Sequence, residues 1–240
     1  DLPTKEIVPF AFSIAEPRRR YISVPARRWS IAYAIAEFAW HLRASQSVEE
    51  IAFYAPRWRK ISRGSSIISG SSYGARVFGR LPGQPSQWER ALNLLRQDAA
   101  SRRVVLHFST PTGDPLDSDA DIACALSLQL MLRNGRLDAI CTMRSNDAML
   151  GMPYDVFLFT MIQEMAATTL GCKLGRYYHQ VASLHLYESQ LALAERIVSS
   201  KFQVVEPMAP MADLQYAHVL LDGEADCRIS VRQGSQSSSG

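Results

Sequence analysis

The apolar positions of this chain change period several times, and each change marks an element. Across residues 29–42, WSIAYAIAEFAWHL, Ile31, Ala34, Ile35, Phe38 and Leu42 recur at helical spacing, which predicts a largely buried helix. Glu37 breaks that apolar run. A carboxylate there must be paired or face a wet cleft, because an unpaired buried charge is costly. A second apolar helix is predicted over 154–170, ended by Gly171, a residue suited to the left-handed position that closes helices; its methionines and phenylalanines read as core.

Period-two patterning predicts strands over 7–14, 102–109 and 176–187. The stretch 121–155 reads as a strand, a tight Asn134-Gly135 turn, a second strand and a Gly-Pro turn opening the 154–170 helix. Asn-Gly between two β-rich runs is a strong hairpin signal, since a type I′ turn needs positive φ at both central residues. Ser47 with Glu50, and Ser86 with Glu89, are spaced as capping boxes. They start helices running to about 54 and 95. Residues 55–80 are rich in Gly and Ser and read as a long loop returning near Tyr73-Gly74.

A length of 240 residues suits one domain with a sizeable core. We expect it over 1–232, followed by a flexible polar tail, QGSQSSSG, over 233–240. Hydrophobic content of 47% with 20% charged residues is that of an ordinary globular chain. The net charge of +3 and the scattered arginines give little support to DNA or RNA as a partner. The run Arg18-Arg19-Arg20 reads as a solvated turn or as the source of one phosphate ligand. Cys124, Cys141, Cys172 and Cys227 form no CxxC pair and no metal-like spacing with histidine. Free thiols, no metal, no membrane segment and a cytoplasmic location are the expectations, and Asp1 in place of an initiator Met reads as a trimmed or processed start.

The hairpin carries the chemistry. It brings Cys124, near its entrance, toward Arg144, near its exit. A neighbouring cation lowers a thiol pKa from about 8.5 and makes thiolate available at neutral pH. His185 and Tyr187, two apart on a strand, share a face.

These residues resemble the thymidylate synthase family. The segment from Cys124 to Gln129 is similar to its nucleophile strand, and Arg144-Ser145-Asn146-Asp147 with Leu150-Gly151-Met152-Pro153-Tyr154 is similar to its Arg-Ser-x-Asp and Leu-Gly-x-Pro-aromatic signature. The resemblance extends over roughly 12–195 and implies an α+β fold, a twisted mixed sheet with flanking helices, in a homodimer packed sheet to sheet. It implies a pyrimidine nucleoside monophosphate as substrate and 5,10-methylenetetrahydrofolate as cosubstrate. Cys124 would add to C6 of the base, Arg144 would activate the thiolate and bind phosphate, and Ser145 would add a phosphate hydrogen bond. Glu37 and Tyr73 would serve the proton network. Asp147, with Gly151 beside it, would hold the folate, while Gln129, His185 and Tyr187 would orient base and sugar. Arg102 and Arg103 would reach across the dimer to the partner's phosphate site. Cys124 and Gln129 are five apart, so a regular strand points them to opposite faces; their joint use predicts a β-bulge between them.

Asp155 is the departure. The family's methylating enzymes carry Asn here, able both to donate and to accept at the uracil edge; Asp is what its cytidylate hydroxymethylases carry. A carboxylate can accept from the cytosine amino group and pair with a protonated ring nitrogen. A helix-starting Asp also suits the helix dipole without any such role. Only Trp58 stands where methylating members have a tryptophan-rich segment, in keeping with water, rather than hydride, completing the reaction. The expected activity is hydroxymethylation at C5 of dCMP or CMP. The alternatives are methylation of dUMP and a catalytically silent nucleotide-binding protein.

Overall fold

The computed structural model describes residues 2–109, 121–201, 204–212 and 217–237. Its centre is the hairpin of β4 (Ala125–Arg133) and β5 (Arg136–Asp147). Asn134 and Gly135 join them with φ of 51° and 71°, the two positive angles a type I′ turn requires. From β5 the chain crosses over through α6 (Met152–Leu170) and returns as β6 (Lys173–Tyr187), parallel to β5. Gly171 ends α6 at φ 65°, as its sequence position predicts.

The sheet is six-stranded and mixed, with spatial order β1 (Thr4–Ile7), β6, β5, β4, β3 (Val105–His107), and β2 (Phe10–Ile14) pairing further along β6. Strand alternation sorts it into two faces. Leu137, Ala139, Cys141 and Met143 of β5, and Tyr177, His179 and Val181 of β6, are buried. Arg176, Tyr178 and Gln180 point the other way and are exposed. The buried face packs with α6 and α5 (Gln87–Gln97) around Leu92, Leu95, Leu128, Leu130, Phe108 and Phe159. A second cluster joins α1 (Ile31–Leu42) and α2 (Val48–Tyr54) through Tyr33, Trp40, Ile51, Trp58 and Phe157. The architecture is thus the α+β arrangement expected, a mixed sheet with flanking helices.

The bulge expected between Cys124 and Gln129 is present: the β4–β5 register shifts between Ala125 and Ser127. Other boundaries differ. The strand expected over 7–14 is divided at Pro9, which has no N–H for a ladder. The strand over 102–109 is regular only over Val105–His107, although Val104 and Phe108 still bond to β4. The expected loop 55–80 contains two short helices, α3 (Trp58–Ile61) and α4 (Tyr73–Val77). Ser86 and Glu89 close a full capping box. At Ser47 only the serine half forms, its hydroxyl accepting from Glu50 N. Beyond α7 (Leu191–Val198), helix α8 (Ala217–Ser237) runs through 233–237, where a loose tail was expected, and 238–240 lie outside the described residues.

Candidate active site

A cavity of about 490 Å³ opens where α1, α3 and α4 meet the end of β5, the start of α6 and the end of β6. Cys124 stands at its floor, just before β4. The hairpin delivers Arg144 to it as expected: Arg144 N bonds Cys124 O at 2.9 Å, and Nη2 lies 3.7 Å from Cys124 Sγ. The guanidinium is aimed by Ala123 O at 2.9 Å and Ile122 O at 3.1 Å. Asp121 steadies the approach by accepting from Gly70 N at 2.7 Å and Ser71 N at 3.0 Å. Gly70 is needed there, since a Cβ would sit 1.8 Å from Asp121 O.

The expectation of a low thiol pKa does not hold for the free protein. Burial pushes the Cys124 thiol up; Arg144 pulls it down but does not win, and Asp155 and Asp121 oppose it further.

Three carboxyls line the cavity, those of Glu37, Asp147 and Asp155, and two of them are driven up by burial. Tyr33 Oη, one helical turn before Glu37, donates to Glu37 Oε1. Tyr33 Oη in turn accepts from Trp58 Nε1 at 3.0 Å and Arg57 Nη2 at 3.2 Å. Burial raises the Glu37 carboxyl to about 7, against the Tyr33 hydrogen bond and Arg57, with Asp155 adding to the rise. Asp155, in the first turn of α6, accepts at Oδ2 from Asn146 Nδ2 at 2.8 Å. Burial lifts it to about 7 as well, while Asn146 and Arg57 lower it and Asp147 raises it. Each is poised to exchange a proton near neutrality. Tyr73 is buried with its hydroxyl 3.3 Å from Ala125 N, and its ring stacks on His41. Gly74 lets α4 press onto α1, because a Cβ would fall 2.0 Å from His41 O.

Ser145, Asp147, Gly151, His185 and Tyr187 also line the cavity. Ser145 Oγ is 3.2 Å from His185 Nδ1, and the His185 and Tyr187 rings meet edge to face at 5.3 Å. Asp147 Oδ1 accepts from Met149 N at 2.7 Å and Leu150 N at 3.0 Å, which leaves the other oxygen free of that turn. Trp58, Ile61 and Leu150 give the cavity apolar walls beside that carboxylate.

Gln129, expected to orient the nucleotide, is not in this wall, and Arg102 and Arg103, expected to serve a partner's site, also lie away from it. Gln129 donates to Arg102 O at 2.8 Å, and Arg103 reaches toward Asp98 at 3.8 Å. The Arg18-Arg19-Arg20 run is neither a solvated turn nor a cavity ligand. Arg18 and Arg20 bind Glu164 of α6, and Arg19 binds Glu16 and Val205 O. Sequence reasoning missed Tyr33 and Arg57. Tyr33 was findable as the residue four before Glu37 on one helix face; Arg57 had no signal within what read as a loop. Its guanidinium lies 4.9 Å over the Tyr33 ring and 5.6 Å over that of Tyr154.

Comparison with known proteins agrees with this geometry. The family model described as thymidylate synthase matches residues 16–217. The deoxyuridylate hydroxymethyltransferase of Delftia phage PhiW-14 is 26% identical over 190 residues, 74% of this chain and 52% of the relative. A thymidylate synthase of Bacillus mojavensis is 29% identical over 163 residues, 66% of this chain and 57% of the relative. The deoxyuridylate hydroxymethyltransferase of Bacillus phage SP01 is 28% identical over 197 residues, 76% of this chain and 50% of the relative. The chain thus spans about half the length of the curated relatives it matches. The structure of thermostable thymidylate synthase A from Bacillus subtilis superposes with a TM-score of 0.70 at 22% identity, covering 84% of this chain and 73% of that one. Among the described residues no helix is long and apolar enough to cross a membrane.

Proposed function

This chain belongs to the thymidylate synthase family, and from that premise we propose that it transfers a one-carbon unit to C5 of a cytidine nucleotide, dCMP or CMP, leaving a hydroxymethyl group. The observation that carries the choice of base is Asp155: a carboxyl in the cavity wall, with Oδ2 held by Asn146 and Oδ1 free of side-chain partners among the described residues. Cytosine offers an amino donor and a bare ring nitrogen. An ionised Asp155 accepts from the first, and a protonated one donates to the second.

Cys124 adds through sulfur to C6 of the base, which makes C5 nucleophilic, and leaves again when the product double bond re-forms. Methylenetetrahydrofolate, when bound, supplies the carbon at the level of formaldehyde. Glu37, exchanging a proton near pH 7 through its contact with Tyr33, serves the proton transfers at the ring and activates water for the hydroxymethyl step. Arg144 and Ser145 receive the 5′-phosphate, and His185 with Tyr187 address the sugar hydroxyl. Asp147 and Gly151 belong to the folate side of the cavity. We take Arg102, Arg103 and the uncovered sheet face around Tyr178 and Gln180 as the partner-facing side of a homodimer, within one catalytic domain.

A second reading is favoured by the two phage relatives named for deoxyuridylate. A protonated Asp155 could donate to the uracil O4 and accept from N3–H, so dUMP would be the substrate. Tritium release from C5-labelled dCMP, CMP and dUMP in the presence of methylenetetrahydrofolate, with product mass read on the same samples, tests both. A hydroxymethylated cytidylate is the expected product. Hydroxymethylated deoxyuridylate would transfer the reading to the second base, and a methylated product with dihydrofolate would overturn hydroxymethylation. Cys124→Ser is expected to abolish release while nucleotide binding persists.

A further inference from the structure

Two buried side chains behind the cavity wall, Tyr177 and His179, and one in the wall itself, Asn146, form a single file of hydrogen bonds that ends on Asp155. Tyr177 and His179 are two apart on the packed face of β6, with Tyr177 Oη 2.7 Å from His179 Nδ1. His179 Nε2 is 3.0 Å from Asn146 Oδ1, and Asn146 Nδ2 donates to Asp155 Oδ2 at 2.8 Å. Tyr177 and His179 are 0% exposed and Asn146 3%, so water does not compete for these bonds. Gly151 packs over the last of them: a Cβ there would lie 3.2 Å from Asn146 Nδ2 and 3.4 Å from Asp155 Oδ2.

The file has a direction. An ionised Asp155 only accepts, so the Asn146 NH₂ faces it and the Asn146 carbonyl faces His179. His179 then donates from Nε2, and as a neutral imidazole it accepts at Nδ1, where the Tyr177 hydroxyl donates. Burial keeps that imidazole neutral, with its pKa lowered to about 4. The opposite polarity would need a proton on Asp155 Oδ2, a flipped amide, the other tautomer and a rotated hydroxyl together. Glu37, Arg57 and Asp147 act on Asp155 through charge alone. The file is what fixes its two oxygens individually.

We infer that Tyr177, His179 and Asn146 are positioning residues that set base specificity: by committing Asp155 Oδ2 as an acceptor, they confine any proton to Oδ1 and so fix the donor and acceptor order offered to a pyrimidine edge. The inference rests on Asp155 being the base-reading group and deepens that reading. It assigns discrimination between cytosine and uracil in part to Tyr177 and His179, which do not line the cavity and act through Asn146, which does.

Calorimetric titration of dCMP, CMP and dUMP into the intact chain and its variants tests it. The chain as it stands should bind cytidylates and dUMP unequally. His179→Phe, which removes both ring nitrogens, should lower that ratio of affinities at least ~10-fold, since one buried hydrogen bond is worth about that much. His179→Gln, whose amide can still donate to Asn146, should recover most of the ratio. Tyr177→Phe frees the tautomer at little cost in packing and should lower the ratio by ~3-fold, which decides the matter should His179→Phe not fold. A purely structural role would lower melting temperature in these variants and leave the ratio alone. Folded variants with an unchanged ratio would overturn the relay while leaving Asp155 as reader. A chain that binds both bases equally would overturn the relay as well. Failure to bind any of the three nucleotides would overturn the reading of the cavity itself, and the relay with it.

Discussion

Among the described residues two glutamates, Glu37 and Glu164, are buried, and they meet opposite fates. Glu37 on α1 is 8% exposed and Glu164 on α6 is 2% exposed. Glu164 accepts from Arg18 Nε at 2.7 Å, from Arg20 Nη2 and from Met211 N at 3.0 Å. Burial alone would raise its carboxyl, but Arg18, the Met211 N–H and Arg20 together hold it below the usual range. Glu37 has one hydrogen bond, from Tyr33, and Arg57 as its nearby cation, and burial carries it to about 7. Burial of a charged group therefore does not by itself mark a site. The shortfall of partners does, because only an under-paired acid can trade its proton near neutral pH.

The largest effects should separate the two. In the proposed reaction Glu37 carries protons, so Glu37→Gln should cut turnover by roughly 10²- to 10⁴-fold, with thermal stability equal or higher. Glu164→Gln leaves the Arg20 guanidinium, whose side chain is 0% exposed, without its counter-charge, an error worth about 3–5 kcal/mol. Its melting temperature should fall by roughly 10 °C, with activity per folded molecule retained at low temperature. Scanning calorimetry and tritium release on both variants decide it. The contrast breaks if Glu37→Gln is the less stable of the two.

The pH dependence of stability is the next effect, and the two kinds of acid pull it in opposite directions. Glu37 and Asp155 hold their protons in the folded state up to about 7, whereas the unfolded chain releases them near pH 4. Their contribution is full below pH 4 and is lost as pH rises toward 7, at up to about 1.4 kcal/mol per group per pH unit. Glu164, held below its usual range, contributes above its unfolded pKa and loses that as pH falls through its folded value. Urea unfolding midpoints between pH 4 and 8 should rise relative to the parent in the Glu37→Gln, Asp155→Asn double variant, most of all above pH 7. Parallel curves would mean that water reaches these carboxyls.

What the sequence made legible follows the same division. The hairpin was legible because Asn134-Gly135 demands one turn type; a bulge lies where it was expected, but Gln129, whose use beside Cys124 motivated it, does not line the cavity. Glu37 and Asp155 were legible as isolated carboxyls, one in an apolar run and one in a familiar motif. Their partners were not. Arg57 reaches the cavity through a turn with no periodicity, and Arg18 and Arg20 find Glu164 across more than 140 residues. His179 sits at an inward position between Tyr177 and Val181, where a polar side chain signals a buried bond but not which one. Pairing across the sheet is set by register, and a linear pattern of apolar positions carries no register.

The smallest effect tests the cation itself. Arg57 lowers both Glu37 and Asp155 through charge, yet among the described residues its side chain bonds Tyr33 alone, at 3.2 Å. Arg57→Met should therefore raise both carboxyls by a fraction of a unit, which carbon-13 titration of the two side chains reads directly, with the kinetic pKa moving the same way. Arg57→Lys should restore the charge but not the planar guanidinium that lies over the Tyr33 and Tyr154 rings. If the carboxyls do not move in Arg57→Met, solvent in the cavity screens the guanidinium. The difference between Glu37 and Glu164 would then narrow to hydrogen-bonded cations alone, and Arg57 would be left as a stacking partner for Tyr33 and Tyr154.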